Sequence, residues 1–145
     1  MQLRDVMTRH VEVIHPRASL KDAGEKMRSH DVGSLPVCDG ERLVGMITDR
    51  DITVRSTAEG YDATLTRVED VMTEDVQYCF EDEDAAAAAE IMERAQIRRL
   101  PVINRDKRLV GVVSLGDLAT TPETQDLAEE ALEEISEPAM PHRTT

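Results

Sequence analysis

Asp5-Val6-Met7-Thr8 recurs as Asp70-Val71-Met72-Thr73, a displacement of 65 positions. Leu35-Pro36-Val37 recurs as Leu100-Pro101-Val102 at that same displacement, and Val11, Ala23 and Met27 recur as Val76, Ala88 and Met92. Leu43-Val44-Gly45 then recurs as Leu109-Val110-Gly111, displaced by 66, and Asp51 as Asp117, so one residue was inserted in the intervening loop. Self-similarity at a fixed spacing is the mark of a duplicated unit, and any function must be consistent with two copies. Each copy is little more than fifty residues long. A unit of that size buries only about 60% of the surface its unfolded chain exposes. The two copies are therefore expected to share one core, with repeat 1 at residues 1–60, repeat 2 at 61–120 and an acidic C-terminal helix and tail at 121–145.

Hydrophobic residues make up 40% of the chain, with one Phe, two Tyr and no Trp, so the core must be built from Val, Leu, Ile, Met and Ala. Thirty acidic residues against seventeen basic ones give a net charge of −13. Such a chain repels phosphate backbones and anionic lipid, which argues against nucleic acid or a membrane surface as partner. The charge reads first as a means of solubility, with a basic partner as the other reading. No apolar run approaches the roughly 20 residues of a membrane helix, and Met1-Gln2-Leu3-Arg4-Asp5 has no signal-peptide core. Cys38 and Cys79 fall at unrelated points of the two copies, with no CxxC pair or Cys/His ligand spacing. A reduced, cytoplasmic protein fits best.

In copy 1, Val11 and Val13 alternate with polar neighbours and predict a short strand that ends at His15-Pro16. Ser19 is a good N-cap, with Asp22 three residues on. Leu20, Ala23 and Met27 then make one apolar stripe of a helix over 19–30. Two strands, 34–38 and 43–47, flank the turn at Asp39-Gly40, because Asp-Gly between apolar runs is a strong hairpin signal. Thr48 opens a second helix predicted to reach Ala58 and stop at Gly60. Copy 2 repeats the order: a strand over 76–80, a helix capped by Asp84 with Ala85, Ala88 and Met92 inward, strands at 100–103 and 109–113, and a helix opened by Ser114. The alanine run 85–89 favours helix and gives a small face for close packing. The fold class is α+β: two β-α-β-β-α repeats related by pseudo-two-fold symmetry, with equivalent loops meeting at a cleft between them. Thr121-Pro122 starts a further helix, Thr as cap and Pro at the first position, with Leu127, Ala131, Leu132 and Ile135 as its apolar face. From Pro122 to Pro138 it carries seven acidic residues and no basic one. Its expected dock is the body or a second copy of the chain, and the residues after Pro138 read as frayed.

No catalytic constellation is present. His10, His15, His30 and His142 are scattered, and P-loop, GxGxxG and HExxH patterns are all missing. Met27 and Met92 belong to the core by their stripe position. What repeats is a hydroxyl-x-x-Asp at a helix start: Thr48-Asp49-Arg50-Asp51 and Ser114-Leu115-Gly116-Asp117. Free N–H groups and partial positive charge at a helix N-terminus suit phosphate. The hydroxyl can bond a phosphate oxygen, and a carboxylate one turn on can accept both hydroxyls of a ribose. The same spacing is also a capping box, which stabilises a helix and binds nothing. Gly33-Ser34 precedes Leu35-Pro36 and lets backbone approach a ligand closely. Arg98-Arg99 replace Gly33-Ser34 in copy 2, either as phosphate forks or as an exposed strand end paired to nearby Asp or Glu.

Val-Met-Thr at the head of each copy, Gly33-Ser34-Leu35-Pro36-Val37 and Arg98-Arg99-Leu100-Pro101-Val102 in the middle, and Leu-Val-Gly followed by Thr48-x-x-Asp51 or Ser114-x-x-Asp117 carry a family resemblance. Over residues 3–119 the chain resembles a tandem pair of cystathionine-β-synthase (CBS) domains, a Bateman module, and in particular small stand-alone bacterial members including hypoxic-response types. The resemblance implies a non-catalytic regulatory module, an energy or stress sensor needing no cofactor. It implies an adenine nucleotide or relative (AMP, ADP, ATP, NAD or S-adenosylmethionine) bound between the copies, and a homodimer that forms a flat disc. By that resemblance Asp51 and Asp117 hold ribose hydroxyls, and Thr48 and Ser114 hold phosphate. The segments at His10-Val11 and Gln77-Tyr78 face adenine through backbone. Arg98, Arg99 and Arg50 neutralise phosphate, and Gly33, Ser34, Leu35, Pro36 and Pro101 line the site. The missing glycine in copy 2 implies unequal sites. Two rivals stand beside this. One is a ligand-free interaction or stress module that works on an effector protein through its dimer surface or acidic tail. The other, ranked last, is an enzyme or metal-redox protein using Cys38 and Cys79.

Overall fold

A computed structural model describes residues 1–136. The predicted frayed tail after Pro138 and His142 lie outside the described residues. Copy 1 contains a 3-10 turn at Leu3–Asp5, helix α1 (Leu20–His30), strands β1 (Ser34–Asp39) and β2 (Arg42–Thr48), helix α2 (Asp49–Arg55) and a 3-10 turn at Thr57–Glu59. Copy 2 contains α3 (Val68–Val71), β3 (Cys79–Phe80), α4 (Ala85–Ala95), β4 (Arg99–Ile103), β5 (Leu109–Ser114) and α5 (Leu115–Ala119). A 3-10 turn at Pro122–Thr124 then leads into α6 (Gln125–Ser136). The alternation is the predicted α+β repeat. Hairpin β1–β2 is antiparallel around the Asp39-Gly40 turn, where Gly40 takes φ 66°, a left-handed value that glycine adopts without a steric penalty. Strand β3 runs parallel to β4, with β5 on the far side of β4.

Local sequence sets the helix starts. The Ser19 hydroxyl accepts the Asp22 N–H at 3.1 Å, and the Asp84 carboxylate accepts the Ala86 N–H at 2.9 Å, each satisfying one of the free donors of a first turn. Both long helices stop at equivalent left-handed residues, Asp31 at φ 51° and Gln96 at φ 58°. Three predicted elements are shorter than expected. The stretch 10–13 alternates correctly but finds no ladder partner, and only Ile14 bridges β1, at Val37. In copy 2 the strand starts at Cys79 rather than Val76. Helix α2 ends at Arg55 rather than near Ala58, because buried Ser56 leaves helical angles and its carbonyl takes the N–H groups of Glu59 and Tyr61. Gly60, at φ 77°, closes the turn that follows.

The chain packs as two compact units that interleave the copies. The first-copy unit is His10–Val76 with Arg105–Leu109; the second-copy unit is Met1–Arg9, Gln77–Asn104 and the chain from Val110 through α6. The head of each copy thus belongs to the unit of the other. Gln2 bridges Asp84, whereas the equivalent Arg67 bridges Ser19. Thr8 bridges Val112, whereas the equivalent Thr73 bridges Met46. Each buried cluster accordingly mixes both copies: Leu3, Val6 and Met7 with Met92, Leu100, Val113 and Leu118 in one, and Val68 and Val71 with Leu20, Leu35, Val37 and Ile47 in the other. In place of the expected single core there are two buried clusters, each assembled from residues of both copies. The repeated glycine is explained by the exchange. A Cβ on Gly45 would sit 2.9 Å from the Thr73 carbonyl oxygen, and one on Gly111 would sit 2.7 Å from that of Thr8.

Helix α6 packs on α4 and α5 within the second-copy unit. Ala128 and Ala131 are buried and Leu127 and Ile135 half-buried, and the alanine face of α4 permits this approach. Leu132, expected inward, is exposed. Thr121 makes no cap; its hydroxyl donates instead to the Asp117 carbonyl at 3.0 Å. Buried Thr124 donates to the Leu118 carbonyl at 2.6 Å, tying α6 to α5. Desolvation first, then Glu130, Glu134 and Glu90, hold the Glu93 carboxyl above the ordinary glutamate range. A raised acid binds more protons folded than unfolded, so its contribution to stability falls as pH rises through its titration. Glu93→Gln is expected to raise the melting temperature at pH 7.5 and to lose that advantage near pH 4, as thermal scans at the two values would show.

Candidate functional site

The exchange of heads breaks between Arg9 and His10 and between Val76 and Gln77. Each unit therefore keeps one complete set of the candidate residues. The first-copy unit holds His10, Val11, Gly33, Ser34, Leu35, Pro36, Thr48, Arg50 and Asp51, and the second-copy unit holds Gln77, Tyr78, Arg98, Arg99, Pro101, Ser114 and Asp117. Leu35, Pro36 and Pro101 are buried, and the Leu35 side chain is part of the core. His10, Gln77 and Tyr78 are exposed, and the Tyr78 ring stands edge-on to Phe80 with centroids 5.6 Å apart.

Both hydroxyl–carboxylate pairs are reciprocal. The Asp51 N–H donates to the Thr48 hydroxyl and the Thr48 N–H to Asp51 Oδ2, both at 3.0 Å. Ser114 and Asp117 repeat this at 3.0 Å in each direction. These are capping boxes, as the alternative reading of the spacing held. They do not exhaust the groups. A hydroxyl that accepts one bond still has its proton to donate, and a carboxylate offers about four acceptor positions. Asp51 Oδ1 also lies 3.9 Å from Arg55 Nε. Asp117 is more committed, because the Thr8 hydroxyl donates to its two oxygens at 3.2 and 3.4 Å.

The two sites differ in charge. Asp49 stands at the first, its N–H donating to the Gly33 carbonyl at 2.9 Å and its carboxylate 3.1 Å from where a Gly33 Cβ would lie. So Gly33 makes room for the Asp49 carboxylate. The equivalent N–H in copy 2 belongs to apolar Leu115 and donates to the Arg98 carbonyl at 3.0 Å. Arg98 and Arg99 are exposed, and among the described residues their guanidinium groups pair with no carboxylate. The second set of candidate residues thus carries two exposed guanidinium groups, where the first has Arg50 beside Asp49. Sequence reasoning did not single out Thr8, Asp49 or Arg55. Thr8 lies in the repeated head motif, and Arg55 sits four residues after Asp51 at ordinary helical pairing distance.

The remaining candidates separate from these sites. Burial pushes the Cys38 thiol up to about 11, and burial with Glu83 pushes Cys79 up to about 12, so both stay protonated and poorly nucleophilic at neutral pH. Among the described residues no group of three or more His, Cys, Asp or Glu could hold a metal ion, and no helix is long and apolar enough to cross a membrane.

The CBS domain family model matches twice, at residues 3–56 and 68–124. The CBS domain-containing protein YhcV of Bacillus subtilis is 38% identical over 134 residues, covering 92% of this chain and 94% of that protein. The crystal structure of Hypoxic Response Protein I with two coordinated zinc ions superposes with a TM-score of 0.75 at 36% identity, covering 82% of this chain and 97% of that one. The CBS domain pair of protein MJ0100, solved with 5′-methylthioadenosine and S-adenosyl-L-methionine, superposes with a TM-score of 0.73 at 26% identity, covering 86% and 98%. Both matched spans contain the repeated head, hairpin and hydroxyl-x-x-Asp, and the chain belongs to the CBS-domain family as a tandem pair of its repeats.

Proposed function

We propose that this chain is a non-catalytic regulatory module that binds an adenine nucleotide or related adenosine derivative and reports energy or stress state to an effector protein, as a cytoplasmic homodimer. The observation that carries the reading is the pair of capping boxes. Each one presents a hydroxyl with a free proton and a carboxylate with unused acceptor positions, one helical turn apart. Asp51 and Asp117 would accept ribose hydroxyls, and Thr48 and Ser114 would donate to phosphate. The backbones at His10-Val11 and Gln77-Tyr78 would meet adenine, beside Gly33-Ser34 in the first site. Arg98 and Arg99, with Arg50 in the other unit, would neutralise phosphate charge. The ligands bound by the MJ0100 pair support the adenosine class. The net charge of −13 supports a small ligand over nucleic acid or an anionic membrane.

The specific test is titration calorimetry with AMP, ADP, ATP, NAD and S-adenosylmethionine. Heat is expected with at least one of them, with phosphate-rich ligands favouring the second site, and the double variant Asp51→Ala/Asp117→Ala is expected to abolish it. Absence of heat with all five would overturn the proposal and leave the capping boxes as purely structural devices of an interaction module.

A further inference from the structure

The segment His10–Val13 lies between two bridged residues, Thr8 and Ile14, yet has no ladder of its own. Three side-chain contacts from α1 hold it. Lys26 Nζ donates to the Val13 carbonyl at 2.5 Å. The same ammonium lies 3.6 Å from Glu12 Oε2, and His30 Nε2 lies 3.4 Å from Glu12 Oε1. Lys26 and His30 are one helical turn apart and grip the two oxygens of one carboxylate, while Lys26 also fixes the next carbonyl. The neighbouring acids do not compete for Lys26 equally: Glu25 pairs with Lys21 at 3.7 Å, and Asp22 faces the same surface hollow beside Ile14 and Ala18.

Copy 2 has no such grip. The positions equivalent to Glu12, Lys26 and His30 are Gln77, Ile91 and Ala95, and Ile91 packs against the core instead. We infer that Lys26, acting through Glu12 and the Val13 carbonyl with His30 as second arm, is a positioning residue for the backbone of the first-copy site alone. This rests on the proposed adenosine reading, in which the His10-Val11 backbone meets the base. A segment without ladder bonds would otherwise sample many conformations, and ordering each residue on binding carries an entropic cost. Pre-ordering by the clamp removes part of that cost before the ligand arrives.

Two readouts separate the clamp from the ligand reading. The first is amide hydrogen exchange of the free protein, which needs no ligand. Lys26→Met is expected to speed exchange of the Ile14 amide, which donates to the Pro36 carbonyl directly after the clamped Val13, by about tenfold or more, with Lys26→Arg restoring much of the protection and the amide of the equivalent Cys79 in β3 unaffected. The second is calorimetry with whichever of AMP, ATP, NAD or S-adenosylmethionine binds wild type. In an Asp117→Ala background, which leaves the first site, Lys26→Met is expected to weaken binding by about tenfold. In an Asp51→Ala background it should change nothing. Unchanged exchange would overturn the clamp. Faster exchange with equal loss at both sites, or at neither, would overturn its role as a first-site positioning device. Altered exchange in a protein that binds none of the ligands would retain the clamp as architecture, and would sink the site assignment and the adenosine reading with it.

Discussion

Gly111→Ala is expected to destabilise the chain by about 2–3 kcal/mol, at the upper end for overpacking a fitted site. The added Cβ would stand 2.7 Å from the Thr8 carbonyl oxygen and 2.8 Å from Met7 Sδ. The methionine tip can swing aside. The carbonyl cannot move freely, because it accepts the Val112 N–H at 3.0 Å while the Thr8 N–H donates to Val112 at 2.9 Å. Relieving the clash therefore means loosening the bridge that joins the exchanged head to β5. Gly45→Ala should cost somewhat less, since there the tightest neighbour is the flexible Met72 Sδ at 2.6 Å and the Thr73 carbonyl oxygen is 2.9 Å away. Gly24→Ala is the control. It lies within α1 with nothing within 4 Å of the new Cβ and is expected to stabilise by up to about 1 kcal/mol. Chemical denaturation of the three variants would measure the series, and a Gly111→Ala as stable as Gly24→Ala would contradict the close approach.

This exchange marks the boundary of what the sequence made legible. Helix starts were readable because a cap is local: Ser19, Thr48, Asp84 and Ser114 each find a donor within three residues. The Asp39-Gly40 turn was readable for the same reason. Stripe positions Leu20, Ala23 and Met27, and Ala85, Ala88 and Met92, are all buried as their periodicity required. The strand expected at 11–13 shows the limit. Alternation reports which side chains face inward but not whether a neighbouring strand exists to complete a ladder, and here only Ile14 has one. Partner choice across 27 positions, from Met46 to Thr73, or 104, from Thr8 to Val112, leaves no periodic trace. Its only signal was that Val-Met-Thr and Leu-Val-Gly both recur, and their contact explains why a glycine is needed in each. Leu132 failed for a related reason. The fully buried stripe of α6 runs through the small Ala128 and Ala131, with Leu127 and Ile135 half-buried at its edge, and Leu132 falls outside it. At the site, the hydroxyl-x-x-Asp was visible, but the Thr8–Asp117 contact spans 109 positions and was not.

Asp117→Asn is expected to weaken adenosine-ligand binding at the second-copy site by about 10- to 100-fold, the roughly 1.5–3 kcal/mol of hydrogen bonds to a charged acceptor. The same change should cost the fold under about 1 kcal/mol. The two effects separate because the cap and the ligand ask different things of one side chain. An asparagine oxygen can still accept the Ser114 N–H that Asp117 Oδ2 accepts now at 3.0 Å, and can still receive the Thr8 hydroxyl. It cannot accept two ribose hydroxyls with charged oxygens, since its second terminal atom is a donor. Ser114→Ala makes the complementary case: it removes the acceptor of the Asp117 N–H, costs about 1 kcal/mol as a lost cap, and takes away the phosphate donor as well. Asp51→Asn should follow the same pattern at the first site, with the adjacent Arg55 at 3.9 Å losing its charged partner. If the capping box were the whole purpose of the motif, Asp117→Asn and Asp51→Asn would leave ligand affinity where it was. Ser114→Ala would then act on stability alone. Calorimetry and denaturation on these three variants therefore decide between a helix cap and a helix cap that also grips a sugar.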